Sequence, residues 1–541
     1  MSNSNVSLNS YNIFQPPDLL KKNIEKMTRD KSGAFKRRDF VAPLLDFCLD
    51  NCYNGKIGIV YGLRSTGKTV GMLHAAESLI EQGNNVTYAA FQYKDDELGI
   101  RTVTEEMKTL AQKGVTHFFL DEVTYLGGFI NLVSEWPDRL VPERGIKIII
   151  SGADSFLLWV AQCSSLFHRY VKFNANWSSY SEYVRVTENS YDTFKREGGI
   201  FSTEKMHSII QSAVVDNLLH SLDHLIASRI TAYADTLYGI HKDTVYKSVI
   251  SILKCAVENS IRDHFIDRVH KKNIPDLGSA LSDLYTIDKR DIKEKVADSV
   301  IVYKSNRSAI DVEPKMVIEA LIEFLVNIEC LVESKMGMCD TGKSTKIFVF
   351  NHNAFMNYAI EEIVDGILQL SDINQPKFIA GIRQAAEGVL NENIVLAHVI
   401  HGAKRGDTIF KYRDGSAKEI DIAVVNRDFN TAKLIEVKSK TWTNPRRVFT
   451  GDAKNLFATS ILKNIGIDKG FAITQVLAYM GKTKILSSNG KRLLLVNIEL
   501  LLTHYRDLDE FFGQLNAHAD AALSKENLGW DGDGIVEVEY V

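Results

Sequence analysis

Between Lys56 and Glu182, short apolar runs alternate with segments of helical pattern, and this alternation restricts the fold more than any other feature of the chain. The apolar runs are KIGIVYG, NVTYAAF, THFFLDE and IKIIISG, and the first helical segment between them is KTVGMLHAAESLIEQG. Short continuous apolar strands separated by helices are typical of a parallel sheet with helices on both faces. The sequence therefore predicts an α/β fold for this part of the chain.

The first strand leads into YGLRSTGKT, a glycine-rich loop with a lysine and a threonine at fixed offsets. In a loop of the form GxxxxGK[ST] between a strand and a helix, backbone N–H groups surround phosphates, the lysine contacts the β- and γ-phosphates, and the hydroxyl binds Mg²⁺. The pattern leaves two alternatives open for the arginine, a phosphate contact or a surface position. The residues predicted to bind a nucleotide are Gly62, Arg64, Ser65, Thr66, Gly67, Lys68 and Thr69, with Thr69 also a magnesium ligand.

An acidic pair, Asp121-Glu122, ends the apolar strand THFFLDE. Asp121 is predicted to hold Mg²⁺ through its water shell, and Glu122 to polarise the attacking water. ATP and Mg²⁺ are therefore the predicted cofactors, and ATP hydrolysis is the predicted activity. Ser151, at the end of IIIS, is a candidate contact to the γ-phosphate or its water, or else a strand cap. Arg169, in SSLFHRYVKF, is a candidate arginine finger.

A second group of candidate residues lies more than three hundred residues further along the chain. Asp421 opens the strand DIAVV, and Glu436 and Lys438 are two apart in LIEVK, so their side chains point to the same face. Glu392 lies among the apolar residues of a predicted helix, an unusual place for a carboxylate. Glu392, Asp421 and Glu436 are the predicted ligands of one or two Mg²⁺ ions, and Lys438 is predicted to orient water or balance charge.

Asp, fourteen residues, then Glu-x-Lys is the pattern of the PD-(D/E)xK nuclease fold. A surface hairpin with EVK on its wet face would show the same pattern. The buried position predicted for Glu392 and the α/β elements that follow favour the nuclease-like fold. Whether this site cleaves nucleic acid stays open at the level of sequence.

The region between these two parts, from about Phe201 to Asn351, is mainly helical in pattern. It ends in PKMVIEALIEFLVNIECLVES, a helix that runs into a strand, followed by TKIFVFN, a second strand. A helix followed by a two-stranded ribbon is compatible with a winged helix. The acidic, glycine-interrupted segment from Gly529 to Val541 is expected to be a solvated tail.

Composition limits the partners and the compartment. The formal net charge of −4 gives no overall attraction to nucleic acid, so any DNA-binding surface has to be a local patch. The six cysteines form no CxxC pair and are expected to be reduced thiols. The polar N-terminal residues resemble no signal peptide, and no apolar run approaches the length of a membrane helix. A cytoplasmic protein without a membrane partner is therefore expected.

Most of the chain resembles a family of bacterial and archaeal ATPases that join an AAA-like P-loop domain to a C-terminal PD-(D/E)xK nuclease-like domain of unknown function. The matching stretches are FKRRDF, YGLRSTGKT, FFLDE, ISGADS, the segment LFHRYVKFNANWSSYSEY, KIFVFNHNAF, EGVLNENIV, EIDIAV and IEVKSK. Two positions depart from the family, His168 in place of glycine and Asn351 in place of aspartate. The resemblance implies an AAA-like core, a winged-helix-like middle and a nuclease-like end.

The domain organisation expected from the sequence has five parts. They are a polar N-terminal segment (1–30), a P-loop ATPase domain (31–190), a helical and winged-helix-like domain (191–360), a PD-(D/E)xK nuclease-like domain (375–510) and a C-terminal helix with an acidic tail (511–541).

The predicted function is ATP binding and hydrolysis coupled to a metal-dependent nuclease that acts on DNA, with RNA the less favoured substrate. The alternative is a nucleotide-dependent DNA-binding or signalling ATPase switch whose nuclease-like domain binds without cleaving. The predicted partners are ATP and nucleic acid. A homo-oligomer is compatible with both hypotheses, and the sequence does not decide it.

Overall fold

The computed structural model of the protein describes residues 13–30, 33–53, 55–62, 65–92, 98–152, 166, 168–201, 326, 329, 331–338, 344–354, 356–357, 360–361, 376–413, 418–439, 447–467, 470–488, 490–525 and 536–540. The position of Arg64, the helices expected across 202–325 and the hairpin turn at Asp414-Gly415 were predicted from the sequence and lie outside these residues. None of the helices in the described part of the chain is both long and apolar enough to span a bilayer.

The N-terminal part is built on a five-stranded parallel sheet, as the alternating pattern predicts. Its spatial order is β4-β5-β6-β3-β7. The strands are β3 (Ile57–Tyr61), β4 (Val86–Ala90), β5 (His117–Asp121), β6 (Lys147–Gly152) and β7 (Tyr170–Asn174). A short hairpin of β1 (Arg29–Asp30) and β2 (Gly33–Ala34) precedes the sheet.

Alternate strand residues point to opposite sides of this sheet, and apolar residues point to both sides. Helices therefore cover both faces. Ile59 packs in the same cluster as Val103 and Met107, whereas Val60 packs in the cluster that contains Phe47 and Met72. The helices of this part are α1 (Pro17–Thr28), α2 (Val41–Leu49), α3 (Lys68–Glu81), α4 (Ile100–Gln112), α5 (Phe129–Leu132), α6 (Val141–Arg144), α7 (Tyr180–Thr187) and α8 (Tyr191–Glu197).

The C-terminal part contains a nine-stranded mixed sheet in the order β16-β14-β15-β13-β12-β11-β10-β8-β9. The strands are β8 (Leu331–Met338), β9 (Ser344–Phe350), β10 (Asp407–Arg413), β11 (Glu419–Asn426), β12 (Thr431–Val437), β13 (Ala472–Tyr479), β14 (Lys484–Ser488), β15 (Lys491–Asn497) and β16 (Val536–Glu539). The helices are α9 (Pro376–His401), α10 (Thr459–Asn464), α11 (Ile498–Thr503) and α12 (Leu508–Lys525).

The two strands predicted for a winged helix do form an antiparallel ribbon, β8 with β9. They do not belong to a separate middle domain, because β8 also pairs in parallel with β10. The ribbon thus extends the C-terminal sheet, whereas the sequence prediction assigned residues 331–350 to the middle domain (191–360). A pairing between strands more than seventy residues apart leaves no local sequence signal.

The C-terminal acidic segment also differs from the solvated tail expected from its composition. Val536–Glu539 forms β16, which pairs antiparallel with β14 at the sheet edge. Valines alternate with glutamates here, and Glu537 and Glu539 form ion pairs with Lys484 and Lys482 on the neighbouring strand and turn. Alternating β-branched residues and charge pairing across strands favour an edge strand over a free tail.

Candidate functional site

The glycine-rich loop connects β3 to α3 through backbone conformations that favour glycine. Gly62 has φ +155° and Gly67 has φ +82° at the N-terminus of α3, while Ser65 also has a positive φ. A Cβ at Gly62 would lie 2.9 Å from Thr66 Oγ1, so the loop closes too tightly there for a side chain. A glycine-rich loop that leads into a helix N-terminus is a common setting for phosphate binding.

Three predicted nucleotide-site side chains lie close together beside this loop. Lys68 is buried, and its Nζ donates to the Gly62 carbonyl oxygen at 2.8 Å. Thr69 Oγ1 donates to Asp121 Oδ2 at 2.6 Å. The hydroxyl and the carboxylate predicted to hold Mg²⁺ are thus direct neighbours, although β3 and β5 are separated in the sheet by β6.

Asp121 is fixed by two further donors. Ser151 Oγ donates to Oδ1, and the Tyr88 hydroxyl donates to Oδ2 at 2.9 Å. Burial and the adjacent Asp121 carboxylate raise the pKa of Tyr88, so the phenol keeps its proton and remains a donor. Tyr88 was not among the predicted site residues, because a tyrosine inside a strand carries no motif. Ser151 contacts Asp121, and its proposed γ-phosphate contact stays a prediction.

Glu122 follows Asp121 directly and adopts a left-handed backbone conformation, φ +57°. Its backbone N–H donates to Ser151 Oγ at 3.4 Å. A non-glycine residue held at positive φ is uncommon and is found most often where surrounding contacts impose it. The backbone conformation of Glu122 therefore determines the direction in which its side chain, predicted to activate water, points away from β5.

Arg169 lies away from the loop of its own chain, and its role as an arginine finger stays a prediction. Arg169 precedes β7, and its carbonyl accepts from Ile57 N at the start of β3. The loop follows the other end of β3, five residues further on, or roughly 16 Å at strand rise. Arg169 Nη1 instead pairs with Asp138 Oδ2 at 2.7 Å on the surface.

Arg38 is the arginine that contacts the loop. It is 5% exposed, and its Nη1 donates to the Thr66 carbonyl oxygen. Its Nε lies 2.5 Å from Glu182 Oε1, and its Nη2 donates to the Trp177 carbonyl at 3.1 Å. Its guanidinium also lies 4.0 Å from the Phe201 ring centroid. Arg38, which precedes α2, thus ties the loop to the segment that leads into α7.

Replacing Arg38 by alanine is expected to destabilise this part of the chain strongly. Breaking a buried ion pair from one side costs about 3–5 kcal/mol, because Glu182 would remain buried without its partner. Arg185→Ala is the matched control, since Arg185 pairs with Asp39 on the surface at 42% exposure and should contribute less than about 1 kcal/mol. Thermal unfolding of the full chain measures both variants, and equal melting temperatures would contradict the role given to Arg38.

The second candidate site lies on one face of the C-terminal sheet, where the structure brings together the four residues chosen from sequence. Lys438 Nζ lies 2.5 Å from Glu436 Oε1 and 3.7 Å from Asp421 Oδ2. Asp421 Oδ2 also accepts from Val437 N at 2.8 Å. Glu392, on α9, completes the group and pairs with a lysine that the sequence did not indicate, Lys411, at 3.1 Å.

The electrostatics of this site are those of crowded, buried carboxylates. Burial and the Asp421 carboxylate raise the pKa of Glu392 and raise that of Glu436 well above its usual range. The pKa of Lys438 is lowered by burial but raised more by Asp421 and Glu436, so the net shift is upward and the ammonium is retained. The site therefore has a strong affinity for positive charge.

Divalent metal ions fit the chemistry of this site, although the ligand set is not ready-made. Glu436 Oε2 is buried without a hydrogen-bond partner, and Glu436 and Asp421 are each 5% exposed. A hard cation such as Mg²⁺ would satisfy that oxygen. Across the described ranges, however, no three or more His, Cys, Asp or Glu side chains are grouped to hold a metal. Metal binding at the strand carboxylates would require Lys438 to move.

Helix α9 links the two candidate sites. Its Asn391 Oδ1 accepts from the Tyr191 hydroxyl of α8 at 2.9 Å, and its Glu387 pairs with Lys195 of α8 at 2.6 Å. Glu392, the residue that follows Asn391, belongs to the carboxylate–lysine site. One helix thus contacts the N-terminal part and supplies a carboxylate to the C-terminal site.

Aromatic side chains extend the contact between the two parts. The Trp177 ring stacks on the His401 ring of α9, with centroids 4.0 Å apart, and meets Tyr505 edge-on at 5.5 Å. Tyr180 N donates to His398 Nε2 at 2.9 Å. Burial lowers the pKa of His398 to about 3, so the ring is neutral and its Nε2 can accept. The segment held by Arg38 is therefore packed directly against α9.

A family model described as an AAA domain matches residues 54–184. Among solved structures, the chain is similar to PCH-2 of C. elegans, at 14% identity, over 39% of this chain and 62% of that chain, with a TM-score of 0.21. It is also similar to a structure of Drosophila ORC bound to AT-rich DNA and Cdc6, at 10% identity, over 63% of this chain and 95% of that chain, with a TM-score of 0.18. No curated protein sequence matches the chain.

The chain therefore contains a nucleotide-binding module of the AAA type. Its parallel five-stranded sheet, its loop and its acidic strand end all lie within or next to the matched residues. The chain spans 62% of the length of the PCH-2 chain to which it is similar. The C-terminal part has a mixed sheet outside the matched range.

Proposed function

We propose that the chain hydrolyses ATP and uses this cycle to control a metal-dependent nuclease site that acts on DNA. Lys68 would hold the β- and γ-phosphates, Thr69 and Asp121 would hold Mg²⁺, and Glu122 would orient the attacking water. Their adjacency beside the loop supports this assignment.

In the C-terminal site, Glu392, Asp421 and Glu436 would hold the metal ion, and Lys438 would balance charge on the phosphate. A divalent cation bound there would lower the pKa of a water and stabilise the leaving oxygen. The buried Glu436 oxygen that lacks a donor supports a cation at this position. The backbone N–H of Val437 donates to Asp421 Oδ2, so this carboxylate is oriented before any ligand binds.

The observation that carries the proposal of ATP control is the shared helix α9. Glu392 follows Asn391, whose side chain accepts from Tyr191 of the N-terminal part. A movement of α8 that displaces α9 through this hydrogen bond would therefore move Glu392, a carboxylate of the candidate nuclease site. Arg38 connects the nucleotide loop to the segment that packs against α9, because it donates to both the Thr66 and the Trp177 carbonyl oxygens.

One observation favours the alternative, an ATPase switch that binds DNA or a protein without cleavage. Lys438 and Lys411 already neutralise carboxylates, and no ready metal-ligand group is found among the described residues. In that case the C-terminal domain would be a binding module whose affinity depends on the nucleotide. The basic stretches RVHKKN (268–273) and KRDIKEK (289–295) lie outside the described residues, as does the first half of NPRRVF (444–449).

The test is cleavage by the full chain of labelled single-stranded and duplex DNA, and of RNA, with Mg²⁺ or Mn²⁺ and with or without ATP. We expect metal-dependent DNA cleavage whose rate changes when ATP is added. Absence of cleavage with every metal, together with ATP-dependent DNA binding, would favour the switch. Absence of both would reject the two hypotheses.

Coupling through α9 is tested by Tyr191→Phe, which removes the hydroxyl bonded to Asn391 and keeps the ring. One such hydrogen bond contributes about 0.5–1.5 kcal/mol, so the effect of ATP on cleavage should fall about two- to tenfold. ATP hydrolysis itself should change less than about twofold. Tyr183→Phe is the matched control, because that hydroxyl accepts from Asn189 within the N-terminal part. Equal effects of the two substitutions would contradict coupling through this contact.

A further inference from the structure

Lys411 is a second, partly buried lysine of the carboxylate–lysine site. It lies on β10 with its side chain 17% exposed, and its Nζ is 3.1 Å from Glu392 Oε2. This contact could not be predicted from the sequence, because β10 mixes polar and apolar residues like many half-buried strands.

An irregularity in strand pairing explains how Lys411 reaches the site. Phe410 pairs with Ala423 and Tyr412 with Ile420, so the single residue Lys411 faces two residues of β11, one of which is Asp421. A bulge of this kind redirects side chains and is common beside functional sites. The Asp421 carboxylate is close enough to raise the pKa of Lys411, although Glu392 raises it more and burial opposes both.

The two lysines divide the carboxylates between them. Lys438 contacts Glu436 and Asp421, and Lys411 contacts Glu392. Both ammonium groups therefore lie where a divalent cation would compete for the same oxygens. Once those oxygens bind a divalent cation, two displaced ammonium groups remain at the same face of the sheet.

We propose that Lys411 is a phosphate-binding residue, which neutralises Glu392 in the absence of ligands and contacts a phosphodiester oxygen when a divalent cation takes the carboxylate. The proposal rests on the proposed nucleic-acid site, and it assigns that site a second positive contact to the substrate backbone. An ammonium on a flexible stem can change partners over a few ångströms without a change of backbone. The Lys411 ammonium would pair with the Glu392 carboxylate in the absence of ligands and with a phosphate when cation and nucleic acid are bound. Its charge would therefore be paired in both states.

The test measures metal binding and DNA binding separately in the full chain, so cleavage is not the only readout. In Lys411→Met, Mn²⁺ binding without DNA is expected to become about three- to tenfold tighter, because a competing cation is gone. Binding of short duplex DNA in Ca²⁺ is expected to weaken about five- to tenfold. The slope of log affinity against log salt concentration should fall by about the amount that one phosphate contact contributes.

Three further variants keep the result interpretable. Lys411→Arg retains the charge and should bind DNA within about twofold of wild type. Lys433→Met is the matched control, because Lys433 is also buried in this sheet but pairs with Asp509 of α12. Glu392→Gln combined with Lys411→Met removes both charges, so it folds without an unpaired buried carboxylate and should still show the DNA defect.

Opposite changes in Mn²⁺ and DNA affinity support the proposal. Parallel losses of both, or unchanged DNA affinity in Lys411→Met and in the double variant, would show that Lys411 only supports Glu392 and would overturn it. If the wild type binds Mn²⁺ and DNA but never cleaves, the nuclease assignment fails while the role of Lys411 stands. If cleavage and DNA affinity both survive Lys411→Met, the nuclease assignment stands and this inference fails.

Discussion

The Lys68→Ala variant is expected to lose ATP hydrolysis by at least about a hundredfold, the size typical for removal of one preorganised group that stabilises transition-state charge. Lys68 lies at the first position of α3, buried beside the loop, with its ammonium at the Gly62 carbonyl. In that position it can reach phosphate oxygens held by the loop N–H groups. Phosphate release under saturating ATP measures the loss.

The control for this variant is Lys147→Met, because Lys147 is also buried but lies in the parallel sheet. Lys147 donates to the Asp50 carbonyl at 2.7 Å and lies 5.2 Å from the Phe47 ring centroid, at the start of β6. That end of a parallel strand is opposite the nucleotide loop. Hydrolysis in Lys147→Met should remain near the wild-type rate. Hydrolysis by Lys68→Ala within tenfold of wild type would contradict the assignment of this site.

The N-terminal fold could be predicted because its signals are local. Four of the five strands were predicted from apolar runs, and the loop lies between β3 and α3 as its motif requires. The strand β7 was missed, because only Phe173 of its five residues is buried and no apolar run marks it. The position of Arg169 relative to the loop could not be predicted for the same reason, since it depends on the parallel pairing of β7 with β3.

In the C-terminal site, strand periodicity predicted the relative positions of residues within one strand, but not the contacts between distant elements. Two-residue spacing places Glu436 and Lys438 on one face, and pairing of Ile422 with Ile435 puts Asp421 beside Glu436. Lys411 could not be predicted, because its position depends on a bulge. The contact between Tyr191 and Asn391 joins residues 200 positions apart, and neither lies in a motif. Such non-local contacts are set by packing of whole elements.

Lys438→Ala is expected to reduce DNA cleavage by about a hundredfold or more, if the site cleaves as proposed, because it removes the charge closest to both strand carboxylates. Glu436→Gln should have an effect of similar size for a different reason. It would remove a metal ligand and leave the Lys438 ammonium without its nearest anion. ATP hydrolysis should stay near wild type in both variants, because neither residue lies in the AAA-type module.

The two substitutions can be distinguished by metal titration and by a lysine on the same strand. Glu436→Gln should require a higher Mn²⁺ concentration for residual cleavage, whereas Lys438→Ala should bind Mn²⁺ at least as tightly as wild type, since a competing cation is gone. Lys433→Ala is the matched control: Lys433 is an odd number of residues from Lys438 and so points to the opposite face, where it pairs with Asp509. Cleavage that survives Lys438→Ala and Glu436→Gln as well as it survives Lys433→Ala would place the nuclease activity elsewhere and leave this site as a binding surface.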